Sequence, residues 1–436
     1  MSVHNAAHPD NVNARSILRL ALPALGVLAA MPLYLLLDTA VVGRLGSQEL
    51  AALGAAATIQ SVVTTQLTFL SYGTTSRAAR HFGAGRRAEA VGEGLQATYV
   101  AIGVGMVLAI GMWSGADTLA MWMTGNAQTA ALTAQWLKVA ALAIPVALTI
   151  MAGNGWLRGV QDTVKTLRFT LSGVIPGAIA IPFFVSWWGL VGSAWANVLG
   201  MSIVSALFLS ELFVQHKGSW KVDFGIIGKQ LLLGRDLIVR SLSFQVTFVS
   251  AAAVAARFGT SALAAHQVML QLWNFLVLAL DALAIAAQTL VGAALGGGSI
   301  KNARETGKKI VGYSTVFALV LAVVLAGGAA IIPRIFTADE SVHAQMHIPW
   351  WIMVGLVIVG GVLFALDGVL LGAGDAAFLR TVTVVSALLG FLPGIWLAYF
   401  FGWGLPGVWT GLAVFICARA AAGYLRFNSM KWAIVG

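Results

Sequence analysis

Three aspartates lie inside long apolar stretches of this 436-residue chain, at Asp38, Asp281 and Asp367. An acidic residue at membrane depth costs on the order of 2.5–3.5 kcal/mol on insertion, so its retention points to function. A carboxyl there can take up and release a proton as its surroundings open and close. We therefore predict proton-coupling sites at these three aspartates. The alternative for each is a solvated structural carboxyl near a helix end.

The apolar stretch around Asp38 also offers other groups to a ligand. Helical spacing of i, i+3 and i+7 places Met31, Tyr34 and Asp38 on one face. Pro23 and Pro32 each remove a backbone hydrogen bond and permit a bend that could change the exposure of that face. A fixed kink is the alternative reading of the two prolines.

Uncharged polar and aromatic side chains at membrane depth extend the candidate site. Such groups need partners, which a bundle interior or a wet cavity supplies. Besides Met31 and Tyr34, the predicted substrate-binding residues are Gln60, Gln66, Trp136, Asn154, His266 and Gln288. Hydrogen bonding between helices is the alternative for each of them.

The composition shows where such residues must lie. Hydrophobic residues make up 59% of the chain and charged residues 10%, against about 25% charged in soluble domains. This excludes a soluble globular enzyme, and the long apolar runs lack the alternation of a β-barrel. Apolar runs predict twelve helical spans near residues 17–43, 49–76, 91–112, 131–155, 166–187, 189–214, 236–257, 262–293, 310–332, 349–371, 381–401 and 405–427.

The chain repeats itself at an offset of 213 residues. Arg44-Leu-Gly46 returns as Arg257-Phe-Gly259 (257 − 44 = 213), with Leu-Ala-Ala following in both copies. Two further segments recur at this offset, whereas Gly189-Leu-Val-Gly recurs as Gly404-Leu-Pro-Gly with a shift of two residues. Each half holds six spans, so both halves have the same orientation, related by an axis along the membrane normal, which is a transporter architecture.

The basic residues orient this bundle. With the N-terminus in the cytoplasm, only Arg44, Arg257 and Arg334 fall at the opposite surface, and Lys138 falls within a span. This asymmetry predicts that both termini are cytoplasmic in a multi-pass plasma-membrane protein. It also accounts for the net charge of +10 without nucleic acid as a partner.

Soluble types of active site are missing from the sequence. It contains no phosphate-binding loop, zinc helix or nucleophile elbow, and its one cysteine is Cys417. We therefore expect no enzymatic activity, catalytic residue, metal site or cofactor.

At this point the residues resemble a family. The run from Leu33 to Gly54, the motifs around Asp281 and Asp367, and Leu157-Arg-Gly-Val-Gln-Asp162 are similar to multidrug and toxic compound extrusion (MATE) transporters. They point to the branch named after DNA-damage-inducible protein F (DinF-like). The resemblance covers nearly all of the chain, in order.

The resemblance implies export of cationic or amphipathic organic compounds, driven by inward flow of protons or, in other branches, sodium. Asp38 matches the family's proposed protonation site, Tyr34 a tyrosine one turn before it, and Asn154 an asparagine before the Arg-Gly motif. Several relatives carry Asn and Asp in the fifth span as partners of the first-span carboxyl, whereas residues 172–182 hold neither. The resemblance thus leaves a role in coupling or as a substrate counter-charge to Asp281 and Asp367.

Together these observations predict an all-α membrane protein with twelve transmembrane helices in two six-helix lobes. We expect a cytoplasmic tail over 1–16, an N-lobe over 17–216, a cytoplasmic linker over 217–235 and a C-lobe over 236–436. The predicted function is proton-coupled export of small organic compounds by a monomer surrounded by membrane lipids. A sodium-coupled exporter and a flippase for lipid-linked precursors are the alternatives; basic residues at span ends disfavour the flippase. A membrane-embedded enzyme or a receptor is the more distant alternative.

Overall fold

The fold is set by the need to satisfy every backbone N–H and C=O group away from water, which a helix does within one segment. The computed structural model describes residues 12–435, which contain α-helices, one π-helical turn and no strand. The helices are α1 (Ala14–Val42), α2 (Ser47–Leu67), α3 (Phe69–Gly83), α4 (Arg87–Thr124), α5 (Ala127–Gly159), α6 (Thr163–Trp188), α7 (Leu190–Gln215), α8 (Phe224–Arg257), α9 (Thr260–Gly296), α10 (Ile300–Gly327), α11 (Ile332–Phe336), α12 (Glu340–Gly372), α13 (Ala376–Val385), α14 (Leu392–Phe400) and α15 (Gly404–Asn428).

Twelve helical segments within residues 12–435 are long and apolar enough to cross a membrane, which confirms the predicted spans and fold class. Several begin at residues whose side chains satisfy the first free backbone N–H groups. Asn126 accepts hydrogen bonds from two backbone N–H groups of α5, and Asp162 accepts one from α6. These polar residues therefore fix where the neighbouring helices begin.

The helix boundaries reproduce the internal repeat. Helices α2, α4, α5 and α6 begin 213 residues before α9, α10, α12 and α13, as in 260 − 47 = 213 for α2 and α9. In the second copy a π-helical turn, Ser386–Phe391, separates α13 from α14, but the offset at the end of α14 is not larger (400 − 188 = 212). The offset grows afterwards, because residues 401–403 connect α14 to α15 where Gly189 alone connects α6 to α7.

The described chain divides into two compact units. The N-terminal unit contains Leu22–Gly234, and the C-terminal unit contains Arg235–Gly436 together with the chain up to Ala21. Helix α1 therefore contributes to both units, whereas the sequence prediction began the N-lobe at residue 17. Helix α8 begins at Phe224, inside the predicted linker 217–235. Residues 1–11 of the predicted tail lie outside the described residues.

Within the N-terminal unit, α6 and α7 cross at glycines. A methyl group on Gly177 would lie 3.2 Å from the Cα of Gly200, and one on Gly200 would lie 2.9 Å from the carbonyl oxygen of Gly173. Small residues permit such close helix crossings in membranes. This crossing brings the backbones of α6 and α7 together beside Tyr34 of α1, whose ring lies 3.5 Å from the same position on Gly177.

Candidate functional site

Asp38 lies in the interior of the N-terminal unit with 1% of its surface exposed. The Ser193 hydroxyl of α7 donates to its Oδ2 at 3.1 Å, and the Trp136 indole N–H of α5 donates to the Ser193 oxygen at 2.9 Å. The second carboxyl oxygen, Oδ1, has no hydrogen-bond partner among the described residues. Asp38 thus has one hydrogen-bond partner among the described residues, and that partner is uncharged.

A cavity of about 310 Å³ opens within the same unit. Helices α1, α3, α5, α6 and α7 contribute to its wall. Three predicted substrate-binding residues line it together: Met31 and Tyr34 from α1, and Asn154 from α5. Its volume lies at the lower end of the range for small-molecule sites, about 300–1,000 Å³.

The cavity wall carries polar atoms that have no partner among the described residues. These are the hydroxyl of Tyr34 and the side-chain carbonyl oxygens of Asn154 and Asn197. Leaving a buried polar group without a hydrogen bond costs about 1–3 kcal/mol. The mainly apolar wall therefore carries three polar atoms whose hydrogen bonding is not satisfied by the described residues.

Asp38 is not a lining residue of this cavity, but the helix that carries it is part of the wall. Val27, Met31 and Tyr34 of α1 line the cavity, and Asp38 follows Tyr34 by one helical turn. A change at Asp38 that tilts or bends α1 would thus reshape the wall. Pro23 and Pro32 lie inside this helix.

The C-terminal unit surrounds its buried aspartate differently. Asp367 of α12 forms ion pairs with Arg240 of α8 and, at 2.7 Å, with Arg419 of α15. The Arg419 guanidinium lies 4.4 Å from the ring centroid of Phe244 and 5.5 Å from that of Phe415. The sequence prediction had assigned Arg240 and Arg419 to the cytoplasmic surface, whereas here they lie within helices. The Asp367 charge is matched by two guanidinium groups.

The ion-paired and aromatic side chains around Asp367 stand at repeat positions that correspond to cavity-lining positions in the N-terminal unit. At the 213-residue offset Arg240, Phe244 and Asp367 correspond to Val27, Met31 and Asn154, and at the 215-residue offset of the last helix (404 − 189 = 215) Phe415 and Arg419 correspond to Gly200 and Val204. All five counterparts in the N-terminal unit line the cavity. Ion pairs and aromatic rings therefore occupy, in the C-terminal unit, positions that line an open space in the other unit.

The remaining predicted residues do not line this cavity. Trp136 belongs to the hydrogen-bonded group at Asp38. His266 is fully buried on α9, and its ring centroid lies 6.0 Å from that of Trp409. The others lie on α2 or α9, half-buried or buried: Gln60, Gln66, Asp281 and Gln288.

The sequence prediction missed residues that complete the site. Arg158, Asn197 and Ser193 were not among the candidates, although Arg158 follows Asn154 by one helical turn and shares its face. That spacing was the available signal for Arg158. No sequence pattern pointed to Ser193, because its role depends on how α7 packs against α1 and α5.

Comparisons with known proteins agree with this architecture. The profile of the MatE family matches residues 23–185 and 237–396. The chain is 30% identical to Protein DETOXIFICATION 44, chloroplastic, of Arabidopsis thaliana over 428 residues, which covers 95% of this chain and 82% of the relative. It is 27% identical to DNA damage-inducible protein F of Escherichia coli K12, covering 93% and 90% of the two chains.

Solved structures share the fold. A crystal structure of MATE in the bent conformation superposes with a TM-score of 0.89 at 20% sequence identity, covering 98% of this chain and 97% of the other. The family assignment made from sequence is thus confirmed, and members of this family are transporters rather than enzymes. The chain, a multi-pass membrane protein with two repeated helical units, belongs to the MatE family of multidrug efflux transporters.

Proposed function

We propose that this protein exports small amphipathic organic compounds in exchange for protons, and that Asp38 is the group that carries the proton. The observation that carries the proposal is the setting of Asp38, which is buried and bonded to one neutral hydroxyl. A buried carboxylate without a matching charge is costly, and protonation removes that cost. Asp38 can therefore change charge as its access to water changes.

The same setting supports a proton over sodium as the coupling ion. A hard metal cation takes several oxygen ligands at once. Among the described residues Asp38 has one oxygen partner, the Ser193 hydroxyl, and its second oxygen has none. A proton needs only the carboxylate itself.

Coupling runs through α1 in this proposal. Antiport requires that proton and substrate each favour a different state of the protein. Asp38 and the lining residues Met31 and Tyr34 share one helix, in which Pro23 and Pro32 interrupt the backbone hydrogen bonding. Protonation of Asp38 would favour one conformation of α1, and a substrate in the cavity the other.

We assign Asp367 a structural role, which departs from the proton-coupling role predicted from its sequence position. Its charge is satisfied by Arg240 and Arg419, so protonating it would leave a partly buried and a buried guanidinium group without a counter-charge. Asp281 stays a candidate for coupling on sequence grounds.

The distribution of basic residues supports a plasma-membrane location with both termini in the cytoplasm. The proposed proton carrier and the cavity belong to one unit of one chain, which supports a protein that works as a monomer.

The proposal is tested in proteoliposomes with two matched fluorescent probes, 6-hydroxynaphthalene-2-sulfonate and the corresponding trimethylammonium compound. A pH gradient or, separately, a sodium gradient is imposed, and efflux is followed for the wild type and Asp38→Asn. We expect proton-driven efflux of at least one probe by the wild type and its loss in Asp38→Asn.

Asp117→Asn is the matched control, because Asp117 is an exposed carboxyl of the same unit. It should transport as the wild type does. Efflux that follows the sodium gradient, or that persists in a correctly inserted Asp38→Asn protein, would contradict the proposal.

A further inference from the structure

We infer that a second cavity, in the C-terminal unit, binds the zwitterionic head of a phosphatidylethanolamine, with its phosphate at Arg334 and its ammonium group at Glu340. The inference goes beyond the proposed function and does not depend on it. This cavity has a volume of about 310 Å³ and is lined by the connection after α10, by the short helix α11 and by the beginning of α12. We refer to it as the surface cavity.

The surface cavity exists because a helix that is continuous in one unit is broken in the other. Helix α4 runs without interruption to Thr124, whereas the corresponding chain ends α10 at Gly327 and resumes as α11 at Ile332. Between them, the carbonyl oxygen of Gly328 accepts hydrogen bonds from the backbone N–H groups of Ile331 and Ile332, at 2.9 and 2.8 Å, which close a turn. The break separates α11 from α10 and leaves space beside α12.

The polar side chains of the surface cavity are particular to the C-terminal unit. At the 213-residue offset, its arginine and two histidines stand where the N-terminal unit has a methionine and two alanines: Arg334, His343 and His347 against Met121, Ala130 and Ala134. Both units build the same helices around these positions, so the shared helical framework does not require the polar side chains. A polar ligand gives them a role.

The wall of the surface cavity carries charges of both signs. Arg334 is exposed, and within residues 12–435 its guanidinium forms no ion pair. The side chain of Glu340 is 82% exposed, and its Oε2 lies 3.7 Å from Nδ1 of His343. A purely anionic head would meet Glu340, and a purely cationic head would meet Arg334. A zwitterionic head places an opposite charge at each of them.

The two charged residues also specify the chemistry of the head. The planar fork of a guanidinium matches the oxygens of a phosphate. A carboxylate accepts hydrogen bonds, and a primary ammonium has three to donate, whereas the trimethylammonium of a phosphatidylcholine has none. The neighbouring carboxylate of Asp339 accepts from the backbone N–H of Ser341 at 2.8 Å, where it caps α12. Glu340 is therefore the acceptor for the ammonium, and phosphoethanolamine is the head that fits.

The surface cavity is held open by contacts between its own elements. The Trp350 indole N–H donates to the carbonyl oxygen of Leu325 in α10 at 3.2 Å. Nε2 of His343 donates to the carbonyl oxygen of Thr337, just after α11, at 2.9 Å. These bonds tie α12 to α10 and to the end of α11. A head group thus enters a preformed site, which keeps the entropic cost of binding low.

The surroundings of the surface cavity suit the rest of a lipid. Both α10 and α12 are long and apolar enough to cross a membrane, so the chain between them lies at a membrane surface. Ile335, Ile348 and Trp351 have more than half of their surface exposed. Trp351 follows His347 by one turn of α12, and tryptophans are enriched at the level of lipid heads. Exposed apolar side chains beside a charged cavity indicate contact with a lipid.

The experiment uses the full chain in proteoliposomes with a phosphatidylethanolamine probe that carries a photoreactive diazirine close to its head. Mass spectrometry of peptides locates the label, which we expect within residues 329–351. Unlabelled phosphatidylethanolamine, phosphatidylcholine and phosphatidylglycerol then compete with the probe. We expect phosphatidylethanolamine to compete about fivefold better than either of the others, because an exposed charge pair contributes up to roughly that factor in affinity.

Variants of the two charged residues assign the two ends of the head. Arg334→Gln should lower labelling about fivefold by removing the partner of the phosphate. Glu340→Gln should remove most of the preference for phosphatidylethanolamine over phosphatidylcholine. Arg44→Gln is the matched control, because Arg44 is an exposed arginine predicted at the same membrane surface in the other unit. It should be labelled as the wild type is. All three positions are exposed, so folding should be preserved.

A soluble phosphate ester could offer the same head as a lipid, and a further competitor separates the two. O-phosphoethanolamine should fail to compete at concentrations where the lipid competes, which assigns the site to a lipid. Equal competition would assign the site to a soluble ester and overturn the inference. Equal labelling of the wild type and Arg334→Gln, or stronger competition by phosphatidylglycerol, would also overturn it. Proton-driven efflux is not measured here, so the proposed function stands or falls separately.

Discussion

Two buried aspartates, Asp38 in the N-terminal unit and Asp367 in the C-terminal unit, differ in what surrounds them. Asp38 has a serine hydroxyl at 3.1 Å and one oxygen without a partner, whereas Asp367 is paired with two arginines. Burial of a carboxyl alone therefore does not identify a proton carrier. The charge of its partners decides the effect of protonation. Protonation removes a desolvation cost when the partners are neutral, and leaves buried positive charge unpaired when the partners are arginines.

The comparison extends to the space beside each residue. The repeat positions that line the cavity in one unit carry Arg240, Phe244, Asp367, Phe415 and Arg419 in the other. Duplicated six-helix units have thus diverged, one around a cavity and the other around an ion-paired cluster. An open cavity and an ion-paired core can thus be built on the same helical framework by exchanging a few side chains.

The largest expected change in stability comes from Asp367→Asn. It leaves the buried Arg419 and the partly buried Arg240 with an uncompensated charge, so the free energy of unfolding should fall by about 3–5 kcal/mol. Thermal and denaturant unfolding in detergent measure this. A triple change, Asp367→Leu with Arg240→Met and Arg419→Met, should restore most of the stability, since apolar residues of similar volume can replace a buried ion cluster. If Asp367→Asn lowered the free energy of unfolding by less than about 1 kcal/mol, the effect would be that of an exposed ion pair, and the contrast drawn between Asp367 and Asp38 would be wrong.

A smaller effect is expected from Ser193→Ala. The hydroxyl of Ser193 donates to Asp38 and accepts from Trp136, so its removal leaves two buried polar groups without that partner. We expect a loss of about 1–3 kcal/mol in the free energy of unfolding. Ser210→Ala on the same helix is the matched control, because its hydroxyl is exposed and bonds the backbone of its own helix at Leu207. Equal effects in the two variants would argue against a special role for Ser193.

The smallest effect is expected from Asp117→Asn. Asp117 forms a 2.8 Å ion pair with Lys138, and both side chains are substantially exposed. Exposed ion pairs contribute about 0–1 kcal/mol, so stability and transport should both stay near the wild-type values. A large transport defect here would show that removing any acid from this unit impairs export, and the contrast with Asp38 would lose its meaning.

The sequence predicted the architecture because the architecture depends on local composition and on the repeat. Apolar runs predicted the twelve spans, and the offset seen at Arg44 and Arg257 is reproduced by the first residues of α2 and α9. The predicted residues Met31, Tyr34 and Asn154 do share one cavity. Their common feature, a polar or polarizable side chain on the inner face of a span, could be recognised in the sequence.

The partners of these residues could not be predicted in the same way. Arg240 and Arg419 stand toward the cytoplasmic ends of the spans predicted from sequence, where arginines usually lie at the membrane surface. Their pairing with Asp367 depends on packing between α8, α12 and α15. The hydrogen bond between Ser193 and Asp38 likewise depends on how α7 packs against α1. Whether basic side chains pair with a buried aspartate thus depends on contacts between helices that are distant in sequence. The burial of the aspartate itself could be predicted from the apolar residues around it in the sequence.

The most direct test of the contrast is infrared difference spectroscopy of the reconstituted protein across a pH change. A protonated carboxylic acid shows a carbonyl stretching band that a carboxylate lacks. We expect a pH-dependent band from a buried carboxyl that disappears in Asp38→Asn and persists in the Asp367→Leu triple variant. A band that persists in Asp38→Asn and disappears in the triple variant would contradict the assignment of the proton to Asp38.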